Sequence, residues 1–108
     1  MSDNTIKIVF KAPNDPPQIL EVKNCYPVFR DLVKGFLEAV WLEKGLVMVC
    51  DEEGKIKKLR KNFLLPQLHD IICGPVFFCS ANADGDFTSL NDEQLALAKK
   101  LVEENELV

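Results

Sequence analysis

The chain is poor in the residues that carry chemistry. It has one histidine, one tryptophan and one tyrosine, and its five glycines form no phosphate-cradling loop. The single histidine, His69, has no nucleophile beside it in a recognisable motif, so it reads as a surface or loop residue and not as a base. No carboxylate can be paired with another on grounds of spacing, which leaves acid–base catalysis without a constellation. No apolar run approaches the roughly 20 residues that cross a bilayer. The start, MSDNTIKIVF, lacks the basic and apolar regions of a signal peptide, because Lys7 interrupts its only apolar stretch. These absences predict a cytoplasmic protein that is not an enzyme, needs no cofactor and engages no membrane.

The four cysteines, Cys25, Cys50, Cys73 and Cys79, contain no CxxC spacing. In a reducing compartment thiols stay reduced. Three of the four lie in apolar surroundings (VMVC, IIC, FFC), where a thiol behaves as a small hydrophobe. The expectation is therefore buried, inert thiols. The alternative is a small metal-dependent enzyme that recruits His69, Cys73 and Cys79, with Cys50 as a further ligand. Its spacing is neither that of a finger nor that of a knuckle.

What the chain does have is ordinary globular material. Its 108 residues, 47% hydrophobic and 28% charged, fit one domain with one core, spanning residues 1–108. The net charge of -4 hides an asymmetry. Lys55, Lys57, Lys58, Arg60 and Lys61 carry five positive charges with no acid among them, so the remainder of the chain sums to -4 - 5 = -9. KIKKLRK reads either as a phosphate-binding strand or as a solvated edge strand, whose lysines block edge-to-edge association. No aromatic residue is interleaved for base stacking, which favours the solvated edge.

The strongest structural signal is GLVMVCDEEGKIKKL, Gly45 to Leu59. An apolar run, an acidic turn ending at Gly54 and a second run from Lys55 to Leu59 predict a hairpin. Before it, TIKIVF (5–10) and QILEV (18–22) predict an opening hairpin with a proline-stiffened tip. Asn24 is placed to cap a helix entered through Pro27, with Val28, Phe29, Leu32 and Val33 on one face and Gly35 as its stop. FLEAVWL (36–42) then predicts a strand, in which Trp41 is a core or rim anchor and Glu38 faces solvent.

After the hairpin, NFLLPQLH (62–69) reads as a helical turn or an apolar loop. IICGPVFFCS reads as one strand, at an edge or bulged at Gly74-Pro75. Asn82, Asp84, Asp86 and Glu93 sit at EF-hand-like positions. However, Phe87 occupies the position that needs glycine, so a tight Asp84-Gly85 turn into the strand DFTSL is expected instead. Asn91 with Gln94 predicts a capping box, and Leu90 with Leu95 a hydrophobic staple, for a last helix whose face is Leu95, Ala98, Leu101 and Val102. The ending ENELV is expected to fray, and its terminal valine could serve as a peptide ligand.

This order predicts an α+β fold: a mixed or antiparallel sheet of about five to seven strands with two helices, covered mainly on one face. Its first half is compatible with a β-grasp-like arrangement. The segments LVKGFLEAV, GLVMVCDEEGKIKKLRKN, DIICGPVFF and DGDFTSLNDEQL, in that order, resemble a family of small uncharacterised proteins of phages, plasmids and bacterial genomes. The resemblance rests on a Leu-Val-Gly-Gly helix end, an Asn/Asp-Glu-Glu-Gly-Lys turn, a following Asn and an Ile-Val-Gly strand. Here Lys34-Gly35 replaces the paired glycine, and Arg60 and Lys61 precede Asn62 in place of prolines. The resemblance implies a mobile-element or bacterial habitat and supplies no catalytic residues.

The leading functional expectation is a non-enzymatic interaction module that binds another macromolecule, most simply a protein. Nucleic-acid binding through residues 55–61 and the metal-dependent enzyme are the alternatives. Self-association through a sheet edge is a further partner reading.

Overall fold

The computed structural model, which describes residues 4–107, has at its centre a strand, β4 (Leu46–Asp51), whose six side chains are all buried. A strand enclosed on both faces needs no polar alternation, which is why LVMVC is continuously apolar. β4 lies between β3 (Leu37–Trp41) and β7 (Val76–Ala81), and the sheet continues through β1 (Thr5–Lys11) to β2 (Gln18–Lys23). A two-residue strand, β8 (Phe87–Thr88), also pairs with β7, at Ser80 and Ala81. β8 leads into Ser89, whose Oγ accepts from Lys7 N–H, and Leu90, whose N–H donates to Lys7 O. Every pairing is antiparallel.

The fold is α+β, as expected, with both faces of the sheet covered rather than mainly one. On one face lies helix α1 (Tyr26–Val33), whose buried Phe29 and Val33 pack with Ile6, Ile8, Val47, Val49, Phe77 and Cys79. The other face carries helix α2 (Asp92–Asn105) and a small sheet of β5 (Lys61–Leu65) and β6 (Asp70–Cys73). There Phe63, Leu65, Ala98 and Val102 pack with Val9, Met48, Cys50 and Phe78. The hairpin, helix and strand expected of a β-grasp-like first half occur in that order, within a wholly antiparallel sheet.

The predicted Gly45–Leu59 hairpin is corrected. β4 already has a strand on each side, so no partner position remains for Lys55–Leu59. That segment folds into turns, with Gly54 N–H bonded to Asp51 O, Lys57 N–H to Glu53 O and Leu59 N–H to Gly54 O. NFLLPQLH supplies β5 and a 3₁₀ turn at Pro66–Leu68. IICGPVFFCS is two strands in different sheets. Gly74, at φ +84°, lets the chain turn out of β6, and Pro75 falls between the strands, where no ladder donor is required.

At the start of α1, Cys25 and not Asn24 occupies the cap position, and its side chain makes no capping bond. The helix ends with Lys34 in the left-handed conformation at φ 62°. Gly35 has a different task. A Cβ there would lie 2.4 Å from the Asp51 carboxylate, so the glycine makes room for a buried acid. DFTSL contributes only the two residues of β8 to a strand.

The capping box of α2 is present as expected. Asn91 Oδ1 accepts from Gln94 N–H at 2.8 Å, and Gln94 Oε1 accepts from Asn91 N–H at 3.0 Å. Gln94 Nε2 goes on to donate to Lys44 O and Ser80 Oγ, which ties the helix to the sheet. Up to Leu107, the last described residue, the ending is docked and not frayed. Glu106 bridges to Phe63, and Leu107 N–H donates to Asn62 O. Val108, the terminal ligand candidate, lies outside the described residues.

Candidate functional site

The five basic residues do not form one surface. Lys55 pairs with Asp70, and Lys57 Nζ lies 2.8 Å from Asp51 Oδ2. Asp51 is buried, and burial alone would push its carboxyl up. The hydrogen bonds from Lys57 and Glu53 N–H and the Lys57 charge outweigh burial and hold the group below the usual carboxylate range. Two of the five cations thus serve the turn segment itself. Lys58, Arg60 and Lys61 make no ion pair among the described residues, and Arg60 and Lys61 line a shallow concavity of about 340 Å3 with Asn14 and Leu107. Ile56 projects between the lysines and is 79% exposed.

The metal reading does not assemble. Cys79 packs against α1 on one face of the sheet, while Cys50 packs on the opposite face. His69 is exposed at the end of the 3₁₀ turn, with φ 49°. No group of three potential ligands converges among the described residues. Burial pushes both the Cys50 and Cys79 thiols up to about 12, and the Glu38 carboxylate reinforces the shift at Cys50. Cys25 and Cys73 are only half-buried, so the expectation of uniformly buried thiols holds for two of the four.

Asn82 is the pivot of the acidic turn rather than a calcium ligand. Its Oδ1 accepts from Asp84 N–H and Asp86 N–H, and its C=O accepts from Gly85 N–H. Gly85, at φ +86°, supplies the left-handed position.

A concavity of about 760 Å3 opens where α1 begins, between the start of β1, the end of β2 and β8. Its floor is aromatic. Phe29 and Phe87 lie 5.4 Å apart, with Phe77 behind them at 5.2 and 6.3 Å. Its rim carries the amides and hydroxyls of Asn4, Asn24, Asn82, Thr88 and Ser89 and one carboxylate, Asp86. Asn24 Nδ2 donates to Phe87 O, which fixes β8 against the helix entrance. Tyr26, at the first helical position, stands over the opening and is 51% exposed. The uncapped first turn adds N–H groups that no side chain of the cap residue satisfies.

An apolar floor rimmed by amides, hydroxyls and one carboxylate can take one apolar side chain and fix the polar backbone around it. The lining also holds the Cys25 thiol, whose side chain makes no capping bond to the helix. None of these residues stood out in the sequence as a site. Phe29 read as core, Asn24 as a cap and Phe87 as a departure from a calcium loop. The missing acceptor at position 25 was the one local signal, and it became informative only once β8 was folded beside it.

No helix among the described residues is long and apolar enough to cross a membrane. Comparison with curated proteins and with solved structures returned no match. The chain does match a protein family over residues 6–103, from the first core residue of β1 into the last turn of α2, and it belongs to that family, described as Domain of unknown function (DUF3846).

Proposed function

We propose that this chain is a non-enzymatic binding module of a mobile element or its bacterial host, and that it holds another protein by taking an apolar side chain into the groove at the start of α1. The observation that carries this reading is the pairing of a Phe29–Phe87 floor with a rim of amides and hydroxyls and the single carboxylate of Asp86, beside the half-exposed Tyr26. Tyrosine over a desolvated pocket is the kind of residue that dominates protein recognition. Amides and hydroxyls suit a peptide backbone, and a lining that holds Asp86 and no lysine or arginine disfavours a phosphate.

Affinity capture from bacterial lysate tests this with the wild-type chain beside Tyr26→Glu. A carboxylate at the first helical position suits the helix dipole, so the variant keeps its fold while charging the groove mouth. A protein recovered by the wild type and lost with Tyr26→Glu is expected. Equal recovery by both chains, or none above a control domain, overturns the reading.

A second reading, nucleic-acid binding, is supported by Arg60 and Lys61 beside the concavity with Asn14. With Lys58 they offer about three phosphate contacts, so the affinity should fall with salt at a log–log slope no steeper than about -3. A salt-independent or absent interaction removes it.

A further inference from the structure

Strand β3 is the last strand on its side of the sheet, and its backbone states which groups it leaves open. Glu52 N–H donates to Phe36 O at 3.0 Å, and Leu42 N–H donates to Leu46 O at 2.8 Å. Between these two bonds the register sets Glu38 against Cys50 and Val40 against Met48. Bonded and non-bonded positions alternate in an antiparallel ladder, so residues 36, 38, 40 and 42 face β4. Leu37, Ala39 and Trp41 therefore turn both N–H and C=O outward, where no strand pairs with them among the described residues.

The two outer edges of the sheet differ in protection. β2 carries Glu21 and Lys23 and is entered through Pro16-Pro17. β3 has no lysine, no proline and no register shift, and its only charge is Glu38. Natural edges that avoid pairing use the very devices that β3 lacks. The same strand exposes Ala39 and leaves Trp41 58% exposed on the α1 side.

We infer that the β3 edge pairs antiparallel with the β3 edge of a second copy, joining two five-strand paths into one continuous sheet. The strand is self-complementary about Ala39. One register matches every outward residue of one copy with an outward residue of the other: Leu37 with Trp41, Ala39 with Ala39, and Trp41 with Leu37. Each such pair exchanges two bonds, giving about six across the two-fold axis.

In this register each Trp41 indole lies against the half-buried Leu37 of the second copy, and Glu38 faces Val40 instead of its own counterpart. Beyond the paired strands, the two-fold axis brings the 3₁₀ turn that starts at Glu43 in one copy toward the end of α1, with Lys34, in the other. Both charged side chains are exposed, and their signs are opposite. Shifting by one step in one direction would oppose Glu38 to Glu38 and leave Trp41 unmatched, and in the other would leave Leu37 unmatched beyond the strand end. The edge meets the groove at the start of α1 only at Leu37, which lines both; the Ala39 variants probe the edge and Tyr26→Glu the groove, so failure of either proposal leaves the other standing.

Sedimentation velocity on the full chain over a concentration series tests the inference, read together with emission from Trp41, the only tryptophan. The wild type should sediment as a dimer, and its emission should shift to the red on dilution. Ala39→Pro removes an N–H that faces only the open edge, so the β3–β4 ladder survives and a folded monomer is expected. Ala39→Lys and Ala39→Glu each place like charges across the two-fold axis and should be monomeric alone. Mixed in equal amounts they should form a heterodimer, which also decides the result if the proline variant fails to fold. A monomeric wild type overturns the inference, even one that binds an extended peptide along β3. A dimer that all three variants preserve overturns it as well.

Discussion

Asn62 Oδ1 accepts a hydrogen bond of 2.9 Å from Lys11 Nζ, and neither side chain is exposed to water. The ammonium also donates to Ala12 O at 2.8 Å and to Glu106 Oε2 at 3.1 Å, which uses all three of its protons. Asn62 Nδ2 donates in turn to Lys11 O and Gly74 O. One buried amide thus joins the end of β1, the β6–β7 turn and the end of the chain. Such a network is stabilising only while complete, because each lost partner strands a group in a low-dielectric interior.

Asn62→Ala removes one acceptor from the lysine and one donor from each of two buried carbonyls. The cost should be about 2–4 kcal/mol, read from urea unfolding. Lys11→Met combined with Asn62→Ala should cost less than the sum of the two single variants, since the buried charge leaves with its partner. Strict additivity would mean that the network is not coupled.

Gly35→Ala should destabilise by about 1–3 kcal/mol, because the new methyl would meet the Asp51 carboxylate at 2.4 Å. The cause is the acid and not the backbone. In an Asp51→Ala background the same substitution should be nearly neutral, and a double-mutant cycle measures the difference.

Asp51 also sets an acid dependence. Its folded pKa lies below the ordinary value, so the unfolded chain binds its proton more tightly. The stability it contributes is therefore fully present above the unfolded aspartate pKa of about 3.9 and is lost as pH falls through the lower folded value. Lys57→Met removes the charge that opposes burial. The variant should be less stable at neutral pH and should lose less on acidification below about pH 4. Parallel urea midpoints across that range would show whether the two chains converge.

Thiol reactivity should divide the cysteines two and two. Cys50 and Cys79 are buried with pKa values of about 12, so a disulfide reagent added to the native chain should modify the half-buried Cys25 and Cys73 first. The other two should react only in denaturant. Mass spectrometry of the modified peptides reads the order directly.

Local determinants of the chain were legible in the sequence. The Asn91–Gln94 box, the Leu90–Leu95 staple, the Asp84-Gly85 turn and the first two strands each depend on neighbours within a few residues, and the structure holds them as read. The groove was not legible. Its floor joins Phe29 and Phe87, 58 positions apart in the chain, and each alone reads as packing.

The sequence by itself determined an α+β domain closed by a capped helix, because periodicity, turn residues and caps act over a few residues and carry their own physics. Only the tertiary structure decided what Gly45–Leu59 became. Leu46–Asp51 is apolar on both faces, and a strand enclosed in that way draws its neighbours from distant segments, β3 and β7. With both of its edges taken, the lysine-rich half of the expected hairpin was left to fold on itself. Lys57 turned to the buried Asp51 and Lys55 paired with Asp70 at the surface, while Lys11, unremarkable in the sequence, became the buried charge that holds Glu106 near the end of the chain.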